Sequence, residues 1–426
     1  MTGPNPRWLL VSRPIVEPVL DGGAALLREL IPALPPDPVD YFGDPRRPLR
    51  ARSGGDSLLR VPRLPLATGP ARRASDLLER ATIGAALLAR DRRRQPVHLF
   101  FGVGPVTERI AAGLVATPEP VSASTSLVRR TTANVRSWLG VGASLLRGRQ
   151  QGHERPAPVV QTLACATGLE TVAHMLENLD AIVALSEDTR DRLIGAGVSA
   201  RRVHRIHPGI AVDQARAIEN PAELARRRAI VYTGELDAGA ADRLIEIART
   251  LSEPAVRQWK LIIACRPEQI IDEPERNRLG RELAGAIGAG RVEIYGEVED
   301  MRALLRRCAI QLFVADRIHR RVDLPLVLLE GLREGLVTVA LDRAPIRELF
   351  GVADGHGREI GARVDPTLGP PGLIKAIHEL AEHPETLLAQ SHDAVGLVRD
   401  HFSAKRMGDD YAELHRELLR RYAQTP

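Results

Sequence analysis

The segment Leu324 to Gly335, LPLVLLEGLREG, sets a single acid, Glu330, inside an apolar run that Pro325 opens. Proline is favoured in the first turn of a helix, so the run reads as a helix starting there. The backbone N–H groups at its start, Leu326, Val327 and Leu328, have no partner within the helix and can bind phosphate. Glu330 is a carboxylate, an acceptor with two oxygens. The plain alternative is a solvated helix glutamate, against which stand the flanking Leu328, Leu329 and Leu332. Two arginines stand at strand ends, where a planar guanidinium can grip phosphate: Arg266 after KLIIAC and Arg343 in the loop Asp342 to Glu348. A surface arginine is as good a reading for each, because only Lys260, Lys375 and Lys405 of the 59 basic residues are lysine. Gly22 and Gly23 precede the first helix, and Gly234 follows the strand that opens the second half.

These residues need elements to place them. Trp8 to Ser12 is a short apolar strand, and AALLRELIPAL after the two glycines is a helix, the opening βα unit of a Rossmann-like domain. Pro35 to Ala71 is rich in Pro and Arg and reads as an irregular excursion. Ser75 to Arg94 and Val106 to Val115 read as helices, and Pro96 to Phe101 as a buried strand. Ser122 to Gln150 reads as a basic amphipathic helix broken near Gly140 and Gly142. Pro158 to Leu163, Leu179 to Leu185 and Val203 to Ile206 are further strands, with a helix between the last two that Ser186-Glu187-Asp188 caps and Gly197 stops. A second series follows. Its strands are Ala229 to Gly234, Lys260 to Cys265, Val292 to Tyr295 and Val337 to Leu341. Its helices are Ala240 to Leu251, Leu279 to Ile287, Pro370 to Glu382 and Glu385 to Asp400, with a charged amphipathic tail.

The stretch Arg291 to Leu349 resembles the nucleotide-sugar-binding half of retaining glycosyltransferases of the GT-B fold, the family-four (group 1) type. Their pattern is E-G-F-G-L-P-x-x-E-A-x-A-x-G-x-P-V-V, then a loop ending in P-E. Glu330 matches the second glutamate, Gly335 the glycine, Val337 to Ala340 the strand, and Pro345 to Glu348 a variant of the closing loop. LDAIVALSEDTRDRLIGAGVSARRVHRIHPGI resembles the segment that closes the first domain of these enzymes. This chain departs from the pattern at three places. Val322 stands where the first glutamate should be, with Asp323 the nearest acid. Gly234-Glu235-Leu236-Asp237-Ala238-Gly239 lacks the usual Arg and Lys, and its two acids would repel a pyrophosphate. Gln161 to Cys165 lacks the usual histidine.

The resemblance implies an α/β chain of GT-B architecture: two Rossmann-like domains facing across a cleft, with the C-terminal helix returning to the first. The expected boundaries are 1–207, a linker 208–228, 229–400 and the crossover helix 401–426. It implies transfer of a sugar from a nucleotide diphosphate sugar to an acceptor, with retention and without a metal or other cofactor. Glu330 would bind ribose hydroxyls. The N–H groups at Leu326 and Val327, the loop at Gly22 and Gly23, and Arg266 or Arg343 would face the diphosphate, beside the loop that Gly234 opens. The rival expectation, drawn from the three departures, is a catalytically degenerate GT-B protein that serves as binding or scaffold partner of an active transferase.

The bulk numbers agree with two domains. A chain of 426 residues exceeds one ordinary core. Aromatics make up only 3%, so aliphatic side chains must fill the interior. The net charge of +5 is mild, and without stacking aromatics or a motif it gives no case for nucleic acid. Arginines cluster at Arg46 to Arg73 and Arg129 to Arg155, which suits a peripheral contact with an anionic membrane as well as it suits a solvated face. Cys165, Cys265 and Cys308 are too scattered for a disulfide framework or a zinc site, which fits a reducing cytoplasm, at most at the inner face of the membrane. Of these, Cys165 reads as small apolar filler, His174 as structural and His98 as packed within its strand.

Overall fold

A computed structural model describes residues 7–12, 15, 22–36, 39–43, 49, 57–59, 96–100, 157–164, 169, 173–177, 179–234, 236–265, 273–316 and 322–424. The chain divides into two units. The first comprises 1–185, 189–206 and 408–426; the second comprises 186–188 and 207–407.

The first unit holds a parallel sheet of seven strands: β1 (Trp8–Val11), β2 (Val39–Phe42), β3 (Ser57–Leu59), β4 (Val97–Leu99), β5 (Val159–Leu163), β6 (Ala181–Ala184) and β7 (Val203–Arg205). Their order is β3-β2-β1-β4-β5-β6-β7. Strands β1, β2 and β4 to β6 are buried along their whole length, as expected of a sheet covered on both faces. Two of these strands lie within the stretch expected to be irregular. β2 escaped the pattern because Asp40 interrupts its apolar run; the carboxylate is fully buried and meets Arg7 Nη1 at 3.3 Å. β3 is only three residues long. Helix α1 (Gly22–Ala33) begins at Gly22 itself, so Gly22 and Gly23 are in its first turn rather than in a loop ahead of it. Helix α2 (Glu187–Gly195) ends ahead of Gly197, whose φ of 92° is open to glycine without strain. His174 sits on a short 3₁₀ turn, Ala173–Leu176, not on an α-helix.

The second unit holds six parallel strands: β8 (Ala229–Tyr232), β9 (Lys260–Ala264), β10 (Val292–Tyr295), β11 (Ile310–Phe313), β12 (Val337–Leu341) and β13 (Gly361–Val364). Their order, β10-β9-β8-β11-β12-β13, is the Rossmann order, in which the chain reverses direction across the sheet between its first and fourth strands, here β8 and β11. The helices that follow are α3 (Pro221–Arg226), α4 (Ala238–Thr250), α5 (Glu273–Glu282), α6 (Ala284–Gly288), α7 (Met301–Leu305), α8 (Leu326–Arg333), α9 (Ile346–Asp354), α10 (Gly369–Glu382) and α11 (Pro384–His401). A largely aliphatic core runs under α4 and α10, including Leu244, Ile263, Leu312, Val339 and Leu373, and a second includes Val231, Ile262, Leu305 and Leu336.

The expected linker is not a loose connection. Arg406 donates to the His207 carbonyl (2.6 Å), Arg333 to that of Ala211 (3.3 Å), Arg302 to that of Gln214 (2.9 Å) and Arg399 to that of Ala215 (2.8 Å). Ile218 N–H donates to Ser391 Oγ at 2.8 Å, and Pro221–Arg226 is helical with Asn220 as its N-cap.

Helix α12 (Ala404–Gln424) starts in the second unit and passes into the first after Met407. Within the first unit it packs on the sheet through a buried polar chain. Tyr411 OH lies 3.0 Å from Thr162 Oγ1, Thr162 Oγ1 2.8 Å from His98 Nε2, and His98 Nδ1 2.8 Å from His415 Nε2. The His415 ring stacks on Trp8 with centroids 3.6 Å apart. Tyr422 OH donates to Asp180 Oδ1 at 2.7 Å. A β-carbon at Gly408 would overlap the Ala33 carbonyl, so the helix approaches α1 as closely as backbones can. His98 is packed in its strand, as expected, and is also the centre of this chain.

Candidate functional site

In open α/β sheets, ligands settle outside the carboxyl ends of the strands at the point where strand order reverses. In the second unit that point lies between β8 and β11, and the loops after β8, β11 and β12 meet there. Asp237, five residues past β8, is the N-cap of α4: its Oδ1 accepts from Ala240 N at 2.7 Å. Its Oδ2 accepts from Asp316 N, just past β11, at 3.1 Å. Both oxygens of Asp237 thus accept backbone N–H groups, which ties the start of α4 to the end of β11. Glu235 lies outside the described residues.

Arg343, two residues past β12, donates from Nη1 to the Asp316 carbonyl (3.0 Å), and its Nη2 lies 3.2 Å from Asp316 Oδ1. Arg243 on α4 donates to the same Oδ1 at 2.8 Å and to the Val314 carbonyl at 2.9 Å. Two guanidinium groups thus share one carboxylate at the switch point. Arg243 and Asp316 were not singled out from the sequence. Arg243 is one of two arginines on an amphipathic helix of an arginine-rich chain, and only the strand order brings it to Asp316. Arg266 lies outside the described residues.

Helix α8 is held against β11. Gln311 is fully buried and donates from Nε2 to the Leu328 carbonyl (3.1 Å) and to Thr338 Oγ1 (2.8 Å). A β-carbon at Gly331 would overlap Gln311 Oε1, so the glycine after Glu330 lets the helix sit this close to the strand. Pro325 precedes the helix and no side chain caps it. The Leu328 N–H is taken by the Pro325 carbonyl at 2.9 Å, which leaves Leu326 and Val327 as the first-turn donors in question. Glu330, one turn further along, is half-buried. Gly335 ends the helix with φ of 78°, as its place in the motif demands.

Gly234 begins the loop after β8, and a β-carbon there would lie 2.8 Å from Tyr232 OH. Gly22 and Gly23 belong to the other unit, at the start of α1. Val322, at the position of the first motif glutamate, is buried and apolar. Asp323 does not stand in for that glutamate as a free acid: it is 2% exposed and accepts from Ser186 Oγ at 2.7 Å. Glu348, which closes the motif, accepts from Glu187 N at 2.7 Å and meets His207 Nε2 at 2.5 Å. Glu334 is equally spoken for, with Arg302, Arg306 and Arg333 each within 2.9 Å of its oxygens. Of the cysteines, Cys265 and Cys308 are buried and unpaired with each other; burial pushes the Cys308 thiol up to about 12, so it is no nucleophile. Cys165 and both arginine clusters lie outside the described residues. Among the described residues no group of three His, Cys, Asp or Glu is placed to hold a metal, and no helix is long and apolar enough to cross a membrane.

Residues 227–383 match the family model for glycosyl transferases group 1. Similar solved structures span nearly the whole chain. Anabaena HepE in complex with UDP and glucose is 13% identical, with a TM-score of 0.62, covering 97% of this chain and 99% of that one. The α,α-trehalose 6-phosphate synthase of Burkholderia multivorans is 14% identical, with a TM-score of 0.63 and coverage of 99% and 98%. A glycosyltransferase from Rickettsia africae is 13% identical, with a TM-score of 0.59 and coverage of 97% and 98%. No curated protein matches in sequence. The resemblance drawn from the motifs is borne out, and the fold is that of GT-B transferases, with two Rossmann-like units and the last helix returning to the first.

Proposed function

We propose that this chain transfers a sugar from a nucleotide diphosphate sugar to an acceptor hydroxyl. One observation carries the reading: residues 227–383, which match group 1 glycosyl transferases, hold both Glu330, one turn into a helix without a side-chain cap, and a cluster of two arginines at the switch point of the sheet. The carboxylate has the chemistry to accept from both ribose hydroxyls, and the Leu326 and Val327 N–H groups and Arg343 have the chemistry to meet the diphosphate. The bond from the sugar to the phosphate breaks, the bond to the acceptor oxygen forms, and the acceptor proton leaves with the diphosphate. Charge that develops on the leaving phosphate is what fixed donors of this kind stabilise. Retention of configuration and independence of metal follow the family pattern. UDP is the first nucleotide to try, since HepE was solved with it. The reading places the protein in the cytoplasm, with the arginine clusters of the first half against an anionic membrane surface.

The test is a calorimetric titration with UDP, GDP, ADP and TDP, on the native protein and on Glu330→Ala. Saturable binding of one nucleotide, weakened in the variant by roughly ten- to a hundredfold for the loss of a charged acceptor, supports the donor site. A second reading has its own support. With Val322 buried and apolar at the first motif position and Asp323 accepting from Ser186, the first motif carboxylate is missing from its own place, which favours a degenerate GT-B scaffold. Failure of well-folded protein to bind any of the four nucleotides would favour that reading.

A further inference from the structure

Asp316 occupies an unusual position for an acid. Its Oδ1 is shared by Arg243 Nη2 (2.8 Å) and Arg343 Nη2 (3.2 Å), and its Oδ2 lies so close to Gly239 that a β-carbon there would overlap it. The carboxylate therefore rests against the first turn of α4 with two guanidinium groups on it, at the crevice between β8 and β11. This is the surrounding an external phosphate would seek. The two arginines are not equivalent. Arg243 is 14% exposed, makes the shorter contact, and is anchored by the Val314 carbonyl; Arg343 is 37% exposed and makes the longer one.

We infer that Asp316 is a built-in counter-anion. In the empty protein it holds Arg243 and Arg343 together, and on donor binding Arg343 exchanges the carboxylate for the diphosphate while Arg243 stays on Asp316. The inference deepens the donor reading above and rests on it for the identity of the anion. It also accounts for how a chain without the family's Arg and Lys after Gly234 keeps positive charge at this place without an unbalanced pair of cations. Two guanidinium groups this close repel each other unless a negative charge lies between them.

The probes are inorganic pyrophosphate and UDP, titrated into full-length native protein, Asp316→Asn, Arg343→Gln and the double variant, at low and at raised salt. Asp316→Asn removes the competing charge and keeps the side-chain shape. It is expected to bind pyrophosphate roughly three- to tenfold more tightly, the scale of a partly exposed charge interaction, with the gain shrinking at raised salt and absent in the double variant. Unchanged or weaker pyrophosphate binding by folded Asp316→Asn overturns the inference and makes Asp316 a staple of the loop after β11. Where Asp316→Asn has a lowered thermal midpoint, Arg343→Gln alone decides: a severalfold loss of pyrophosphate affinity supports the exchange, and no loss overturns it. The two proposals fail separately. UDP binding that needs Glu330, with no response at Asp316, sinks only the counter-anion. A pyrophosphate gain in Asp316→Asn without UDP binding by any form leaves the anion seat and sinks the nucleotide donor.

Discussion

His207 Nε2 lies 2.5 Å from Glu348 Oε1, and the other oxygen of that carboxylate takes the Glu187 N–H at 2.7 Å. One side chain thus fixes two chain segments that are remote in sequence. His207 is only 6% exposed and Glu348 14%, so water cannot readily replace the carboxylate. Glu348→Ala is expected to destabilise the second unit by about 2 kcal/mol, the cost of leaving a shielded donor unsatisfied. Glu348→Gln keeps one acceptor oxygen and should cost less. Urea denaturation of the three proteins ranks them, and equal midpoints would show that Glu348 is not a structural tie.

Gly335 tests the backbone at the end of α8. Its φ is 78°, and a β-carbon would lie 2.6 Å from Ser391 Oγ and 2.9 Å from both Ala217 Cα and the Arg216 carbonyl oxygen. Gly335→Ala is expected to lose about 3 kcal/mol from left-handed strain and overpacking combined. Gly351, inside α9, has nothing within 4 Å of such an atom, so Gly351→Ala should gain about 0.5–1 kcal/mol. The opposite signs of the two midpoint shifts are the measurement.

The buried His98–His415 pair makes the first unit sensitive to acid. Burial lowers both histidines: His98 well below its usual value, with the neighbouring His415 adding to the shift, and His415 to about 3. Unfolded histidines take up protons near pH 6.5, whereas the folded pair stays neutral. Stability from this source is therefore full above that pH and falls as pH drops toward about 3. Two protons held back correspond to a slope of up to about 2.7 kcal/mol per pH unit. Replacing His98 and His415 together by Gln should flatten the dependence of unfolding free energy on pH between about 6 and 4. An unchanged slope would place the acid sensitivity in other groups.

What the sequence revealed depended on how far each signal was local. β5, β6, β8 and β12 announce themselves as apolar runs because both faces of each sheet are covered. β13 does not: GARV is partly exposed, and it begins at Gly361, where a side chain would strike the Thr338 backbone. β2 hides behind Asp40, whose partner Arg7 is 33 residues away. The helix carrying Glu330 and its end at Gly335 were legible because a helix carries its motif in consecutive residues. The partners of Asp323, beside the first motif position, and of Glu348, at the end of the closing loop, were not legible: Ser186, His207 and Glu187 meet them from more than a hundred positions away. Arg243 and Asp316 meet only once the strand order is known, since 73 residues separate them.

The arginines that grip the carbonyls of His207, Ala211, Gln214 and Ala215 change what the connecting segment is. A protease must draw an extended stretch of chain into its own active site, and here the backbone is pinned at four points and held again at Ile218. Cleavage between the halves of this protein must wait for the second unit to open, so a digest that spares that unit also spares the joint. The stretch of chain that looks easiest to sever is a seam sewn into the unit it introduces.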